Sequence, residues 1–232
     1  MKRKIKSIVK SIPVVSTVAR FAYRHLRKNR IEFETSGKYW DARYAQAGDS
    51  GDGSYGRLAA FKAEIINDFV KAHCITEIVE FGCGDGAQLM KMDYAKYTGV
   101  DVSSTIVKHC KEVFKGDPSK IFLHVDDPDV YNITSELGLS LDVIYHLIED
   151  EVFDEYMRRL FASSTTWIII YSSNFDSATD LAHVRHRKFS NWIEQNAPDW
   201  ELYQKIDQRF PYKTNREEDT SFAEFYIYRF KA

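Results

Sequence analysis

The chain has 232 residues, of which 44% are hydrophobic and 14% aromatic, which excludes a disordered protein and suffices for the core of one α/β domain. Its three cysteines, Cys74, Cys83 and Cys110, lack CxxC spacing, which favours a reduced, cytoplasmic setting over a disulfide framework. No apolar run approaches the length of a membrane span.

Residues 1–35 form a basic amphipathic helical extension in this interpretation. Residues 1–31 hold ten Lys or Arg and no Asp or Glu, which leaves −12 on the remainder of a chain whose total charge is −2. Apolar residues recur at three- and four-residue spacing from Ile5 to Leu26, with Pro13 as a break. Such a helix either lies on an anionic membrane surface, at the inner face, or packs its apolar stripe on the domain or on a partner.

A domain over residues 36–232 opens with a segment, 36–60, that we interpret as a lid, mobile without ligand and ordered with it. It joins a short aromatic stretch to a glycine-rich loop, and a long glycine loop inside a compact domain is more often functional than idle. The alternative is that its aromatic side chains only anchor the loop to the core. Candidates for stacking on a cofactor or a substrate are Tyr39, Trp40, Tyr44 and Tyr55.

Residues 78–86 predict a buried strand that runs into a glycine turn, followed by a helix that begins near Gln88. A strand, a tight turn and a helix N-terminus together make a pocket lined by backbone N–H groups. Glycine lets that backbone approach a ligand closely. The candidate binding residues in this segment are Glu80, Gly82, Cys83, Gly84, Gly86 and Gln88.

A second short strand, over residues 97–103, contains Asp101 and Val102, about twenty residues after the first glycine. In nucleotide-binding α/β sheets an acid at this position takes the two ribose hydroxyls, because a carboxylate accepts both hydrogen bonds. The third strand, 121–125, ends in a further acidic turn that begins with Asp126 and Asp127.

The motifs Glu80-x-Gly82-x-Gly84-x-Gly86 and Gly99-Val100-Asp101 resemble the class I S-adenosylmethionine-dependent methyltransferases, which carry an acid two residues before the first glycine. The resemblance implies S-adenosylmethionine as cofactor and an acid, Asp126 or Asp127, on the adenine amino group. Two alternatives remain. Gly82-x-Gly84-x-x-Ala87 also fits the looser pattern of an NAD-dependent oxidoreductase, and a non-catalytic nucleotide-binding module would keep the same turn.

Residues 137–147 predict the fourth strand and the turn after it, and this segment resembles the same family, with Asp142 at the strand end and His146 four residues later. Asp142 would then lie beside the cofactor, and His146 is our candidate base for an acceptor hydroxyl. The family commonly has Glu just before this His, where Tyr145 stands here.

Residues 53–56, 79–89, 142–151 and 171–173 also look like bacterial methyltransferases found with surface-polysaccharide biosynthesis. We expect a small-molecule or glycan acceptor that is methylated at oxygen, with nitrogen as the alternative target. Nucleic acid is not expected as a partner, because no Asn-Pro-Pro-Tyr-like motif follows strand four and the domain is acidic.

Residues 166–171 predict a fully buried fifth strand, and a basic, histidine-rich segment, 183–189, lies beyond it. We interpret this edge as the acceptor site, against the alternative of a solvated helix start; no metal is expected, because no carboxylate or Cys accompanies the two histidines. Candidate substrate-binding residues are Tyr55, Tyr145, Tyr171, Ser173, His183, Arg185 and His186.

Two final strands, near 200–206 and 222–230, are joined by a connection too short for a crossover helix, so they should pair antiparallel. The chain as a whole predicts an α/β fold: a doubly wound, mostly parallel seven-stranded sheet with a C-terminal antiparallel hairpin and helices on both faces.

Overall fold

The computed structural model describes residues 31–231, and the part from Phe33 onward forms one compact unit. The predicted N-terminal helix of residues 1–30 lies outside the described residues. Among those described, no helix is both long enough and apolar enough to cross a membrane.

One seven-stranded sheet organises the described part of the chain, in the order β3-β2-β1-β4-β5-β9-β8. Strands β1 to β5 are mutually parallel, whereas β9 runs antiparallel to both β5 and β8. This confirms the predicted sheet and its C-terminal hairpin. The strands are β1 (Glu77–Phe81), β2 (Lys96–Asp101), β3 (Lys120–His124), β4 (Ser135–Leu141), β5 (Ser164–Ser172), β8 (Trp200–Ile206) and β9 (Glu224–Phe230), with a separate two-residue pair, β6 (Ser177–Ala178) and β7 (Arg185–His186).

Helices cover both faces of the sheet, as predicted. Ile169 of β5 belongs to one apolar cluster, with residues of α2 and α3, while its neighbours Ile168 and Ile170 belong to the opposite cluster, with residues of α4 and α5. A strand buried on both faces explains the continuous apolar run of β5. The helices of the described residues are α1 (Ser36–Ala45), α2 (Gly56–Ala72), α3 (Ser104–Val113), α4 (Asp150–Ala162) and α5 (Phe189–Asn196).

The predicted helix near Gln88 is wrong: a single 3-10 turn, Leu89–Lys91, stands in its place. Only residues 82–95 separate β1 from β2, and the first five of these make the glycine turn, so too little chain remains for an α-helix. Met92 is already extended. Gln88 is therefore fixed by α2, where its Nε2 donates to the carbonyl of Ala59 at 3.1 Å.

Candidate active site

A cavity of about 390 Å³ lies at the carboxyl edge of the sheet, where the strand order reverses between β1 and β4. Open α/β sheets bind ligands in this crevice, and the volume falls in the range of small-molecule sites, roughly 300–1,000 Å³. The structure brings many of the predicted residues together there. Those that line the cavity are Glu80, Gly82, Cys83, Gly84, Gln88, Asp101, Val102, Asp142 and His146.

The glycine turn lines this cavity through Gly82 and Gly84. Gly82 and Gly84 have φ values of 82° and 59°, a left-handed conformation that side chains disfavour. A Cβ atom on Gly82 would collide with the side chain of Val143, and one on Gly84 with the hydroxyl of Ser50. Glycine is thus required at both positions by conformation and by space.

Asp101 joins the end of β2 to the glycine turn. Its carboxylate accepts hydrogen bonds from the backbone N–H groups of Gly84 and Ser103, each at 3.0 Å. Burial raises the pKa of Asp101, while these two donors act in the opposite direction. The carboxylate therefore has a structural role as well as a place in the cavity wall.

A buried lysine, which the sequence did not single out, also lines the cavity. The side chain of Lys62 on α2 is only 1% exposed, and its Nζ lies 2.5 Å from Asp142 Oδ2. That carboxylate also accepts from the Tyr145 hydroxyl at 2.7 Å. Within the described residues, the bond to Asp142 is the one hydrogen bond of the Lys62 ammonium. An ammonium has three N–H donors, so Lys62 has donors left for a ligand.

Gln88 supplies a hydrogen-bond acceptor to the same cavity, where Lys62 supplies donors. The residue is 6% exposed, and its Oε1 is buried without a hydrogen-bond partner in residues 31–231. A buried acceptor without a donor is costly unless a ligand or water supplies one. Beside it, Glu80 accepts from the Tyr97 hydroxyl at 2.7 Å, and burial raises the pKa of Glu80 to about 7.

His146 lines the cavity in a defined tautomer. Its Nδ1 lies 2.9 Å from the carbonyl oxygen of His183, and a carbonyl only accepts, so Nδ1 carries the proton and Nε2 is the acceptor. Burial, the largest effect, lowers the pKa of His146 to about 4. The ring is therefore neutral at pH 7, with a nitrogen available to take a proton.

The predicted lid segment lies directly against the glycine turn. Asp85 N donates to Ser50 Oγ at 2.8 Å, and Ser50 N donates back to Asp85 Oδ2 at 3.2 Å. The Tyr55 hydroxyl also donates to that carboxylate. Whether the segment orders on ligand binding stays a prediction. Its residues in the cavity wall are Ser36, Gly37, Trp40, Tyr44, Ser50 and Ser54.

The two acids proposed for the adenine amino group do not line the cavity. Asp126 has a largely exposed side chain near His124, and Asp127 accepts from Asp129 N at 3.1 Å as the cap of a 3-10 turn. Val125 lines the cavity instead, together with residues of α4 that were not predicted as site residues, because only the packing of α4 places them there. These are Glu151, Val152, Glu155, Tyr156 and Arg159.

The residues predicted to bind the methyl acceptor, at the end of β5 and beyond it, make contacts within the protein. The buried Tyr171 hydroxyl accepts from Gln208, and Ser173 Oγ lies 2.7 Å from His186 Nδ1. Arg185 donates to Asp150 at 2.9 Å. None of these side chains lines the cavity, and their role in acceptor binding stays a prediction.

Four more candidates also lie outside the cavity wall. Tyr145 is bound to Asp142, as described, and Tyr55 to Asp85. Gly86 faces α3, where a Cβ would meet the ring of Phe114. Tyr39 stacks on His183 instead of lining the cavity.

Comparison with known proteins identifies the fold. No protein-family model and no curated protein matches the chain, but solved structures do. The N-methyltransferase NodS from Bradyrhizobium japonicum WM9, in complex with S-adenosyl-L-homocysteine, is similar over 86% of this chain and 100% of its own, with a TM-score of 0.64 and 12% identity.

Two further structures extend this similarity. Magnesium protoporphyrin IX methyltransferase (ChlM) from Synechocystis PCC 6803, with bound SAM, matches 91% of each chain with a TM-score of 0.54 and 12% identity. The methyltransferase domain of bacterial CtHen1-C matches 74% of this chain and 97% of its own, with a TM-score of 0.56 and 17% identity. The chain thus has the fold of the class I S-adenosylmethionine-dependent methyltransferases, and the resemblance that its motifs indicate is confirmed at the level of the fold.

Proposed function

We propose that this protein is a methyltransferase that uses S-adenosylmethionine to methylate a small-molecule or glycan acceptor at oxygen. One observation carries the proposal: a cavity at the reversal point of the sheet combines the glycine turn and Asp101 with Gln88 Oε1, which has no hydrogen-bond partner among the described residues, and with the ammonium of Lys62, which has donors to spare beside its bond to Asp142.

The residues of the cavity fit this cofactor at both ends. An amino-acid zwitterion carries an ammonium and a carboxylate, which complement the free acceptor of Gln88 and the donors of Lys62. Asp101 and Val102, at the other end of the glycine turn, provide an acid for ribose hydroxyls and an apolar surface for the base. These four residues would hold the cofactor.

When bound, the cofactor supplies a methyl group that its sulfonium already activates. The protein then has to hold the acceptor in line and to take a proton from its hydroxyl. His146 is suited to the second task, because its ring is neutral and its Nε2 is the acceptor nitrogen. Trp40 and Tyr44 of the lid segment line the same cavity, and in this proposal they shield the reacting groups from water.

The sheet disfavours the NAD-dependent alternative. A plain dinucleotide fold continues with parallel strands, whereas here the antiparallel β9 is inserted between β5 and β8. A non-catalytic module would keep the cavity but transfer no methyl group, so a transfer assay separates it from the enzyme.

The test is incubation of the protein with methyl-labelled S-adenosylmethionine and a panel of hydroxylated small molecules and lipid-linked glycans. We expect label in an oxygen-linked methyl group of one acceptor class. His146→Gln should lower the rate by about 100-fold or more, the usual size of a general-base effect, and the matched control His109→Gln, at an exposed position of α3, should not. Binding of cofactor without transfer to any acceptor would favour the non-catalytic module.

We also propose that the acceptor is displayed at the cytoplasmic face of a membrane, because residues 1–31 carry ten positive charges and no acid. Each basic residue near an anionic surface contributes about 1 kcal/mol. The full-length protein should co-sediment with vesicles that contain phosphatidylserine, less so at high salt, and a variant without residues 1–31 should not. Failure of the full-length protein to co-sediment at low salt would contradict this location.

A further inference from the structure

Three rings from separate segments lie nearly parallel beside the cavity. Tyr39 of α1 stacks on His183, with ring centroids 4.4 Å apart and planes 13° apart. His183 in turn lies parallel to His146, at 5.8 Å and 10°. Tyr39 is buried but does not line the cavity, so its ring contacts protein rather than a ligand.

The middle ring belongs to the residue that sets the protonation of His146. The His183 carbonyl oxygen is the acceptor for His146 Nδ1, at 2.9 Å. Which nitrogen of an imidazole carries the proton is decided by the hydrogen bond that the other nitrogen makes. If this carbonyl moves, His146 loses the partner that holds its Nε2 in the acceptor form.

Among the described residues, the hydrogen bonds within the loop hold the carbonyls of Leu181 and Val184 rather than that of His183: Thr179 Oγ1 donates to these two carbonyls at 3.1 and 2.8 Å. Residue 183 lies in the loop between β6 and β7, whose neighbouring residues Leu181 and Ala182 are exposed. By contrast, α1 is anchored at its start, where the Ser36 hydroxyl donates to Glu149 at 2.6 Å. The ring of Tyr39 thus offers this loop a fixed surface on an anchored helix.

We propose that Tyr39 is a positioning residue: by stacking on His183 it holds the His183 carbonyl in place and so fixes His146 as the Nδ1–H tautomer, with Nε2 as the acceptor. The catalytic meaning of this tautomer rests on the proposed function. The proposal links the lid segment to the candidate base, since α1 carries both Tyr39 and Trp40, whose ring meets His146 edge-on at 4.8 Å.

The groups that face His146 come from three elements. Asp142 and Tyr145 belong to its own turn, Arg43 to α1, and His183 to the loop between β6 and β7. Among them Asp142 favours a charged imidazole, whereas Arg43 and the His183 ring oppose it. The tautomer of the neutral ring is set by a different contact, the hydrogen bond to the His183 carbonyl.

The test is ¹⁵N nuclear magnetic resonance of the histidine side chains at pH 7, in which protonated and unprotonated ring nitrogens have distinct shifts. The spectrum of His146→Gln assigns the signals of His146 among the seven histidines. We compare the full-length protein with Tyr39→Leu, which removes the stacking ring, and Tyr39→Phe, which keeps it and removes only the contact of the hydroxyl with Arg43 at 3.4 Å.

We expect the Nδ1–H tautomer in the unmodified protein and in Tyr39→Phe. In Tyr39→Leu the ratio of the Nδ1–H to the Nε2–H form should fall by about fivefold, as for the loss of one typical hydrogen bond. An unchanged ratio in Tyr39→Leu would overturn the proposal, and so would an equal fall in Tyr39→Phe. If Tyr39→Leu does not fold, His183→Ala removes the other ring of the same stack and must give the fivefold fall.

The measurement needs no methyl transfer. A protein that transfers no methyl group but shows the tautomer shift retains the positioning device and loses the proposed function. A protein that transfers methyl groups but keeps its tautomer in both ring-deleted variants retains the function and loses the positioning device.

Discussion

Residues that sequence motifs single out lie in two regions, at the carboxyl ends of β1 and β2 and beyond the carboxyl end of β5. Their contacts differ between the two regions. At β1–β2, Glu80, Gly82 and Asp101 line the cavity. At β5, Ser173 and Arg185 are bound to other side chains of the protein. The sequence therefore predicts that a polar residue lies at a strand end, but only the fold shows which residues line the cavity and which contact other side chains.

The largest effect should come from Gly82→Ala. The change places a Cβ against Val143 in a left-handed conformation, and strain of about 1–2 kcal/mol adds to overpacking of about 1–3 kcal/mol. We expect a fall of about 3 kcal/mol in the free energy of unfolding, measured by chemical denaturation. Gly116→Ala is the matched control, since a Cβ there meets nothing within 4 Å; equal stabilities of the two variants would contradict the tight turn.

The next effect is a pH dependence from Glu80. Its pKa in the folded protein is about 7, against 4.5 for the ordinary group, so the folded state binds more protons and the free energy of unfolding falls as the pH rises from about 4.5 to 7. Glu80→Gln removes this loss. Between pH 5 and pH 8 its unfolding free energy should rise by about 2–3 kcal/mol relative to the unmodified protein; parallel pH profiles would show that Glu80 is not buried as a neutral acid.

Asp101→Asn keeps the shape of the side chain and removes its charge. If the carboxylate takes two ribose hydroxyls, affinity for S-adenosylhomocysteine should fall by about 2 kcal/mol, or about 30-fold. Calorimetry measures this directly, with Asp68→Asn, at an exposed position of α2, as the control. If the folded Asp101→Asn protein has normal affinity, Asp101 does not contact the ligand and serves only to bind the N–H groups of Gly84 and Ser103.

The smallest effect is expected for Arg185→Ala, beyond the carboxyl end of β5. Arg185 is 45% exposed, and its ion pair with Asp150 should contribute less than about 1 kcal/mol to stability. Arg187 is 9% exposed and donates to the carbonyls of Leu147 and Ile148 as well as to Asp150. Arg187→Ala should therefore lower the unfolding free energy by about 2 kcal/mol more than Arg185→Ala, and a reversed order in thermal denaturation would contradict this assignment.

The sequence predicted the features that depend on local pattern. The alternation and length of apolar runs indicated the strands. The glycines and Asp101 indicated a nucleotide-type turn, because the left-handed conformation of Gly82 and Gly84 favours glycine and the backbone N–H groups of Gly84 and Ser103 need an acceptor. The prediction of a helix near Gln88 was wrong, because the connection between β1 and β2 is too short for an α-helix, whatever its sequence pattern.

Features that depend on tertiary partners were beyond the sequence. Lys62 lies on the buried face of α2, although a lysine in a sequence usually indicates a position that is exposed to solvent. Its ion pair with Asp142 explains its burial. The ion pair of Arg185 with Asp150 could not be predicted, because the two residues are distant in the chain. The stack of Tyr39 on His183 could not be predicted either, because His183 comes from a remote segment.

The most direct test of the central claim is calorimetric titration of the full-length protein with S-adenosylhomocysteine and, separately, with NAD. The cavity between the glycine turn, Lys62 and Gln88 predicts one S-adenosylhomocysteine bound per chain and no heat with NAD. Binding of NAD in preference, or no binding of S-adenosylhomocysteine to the folded protein, would contradict the account.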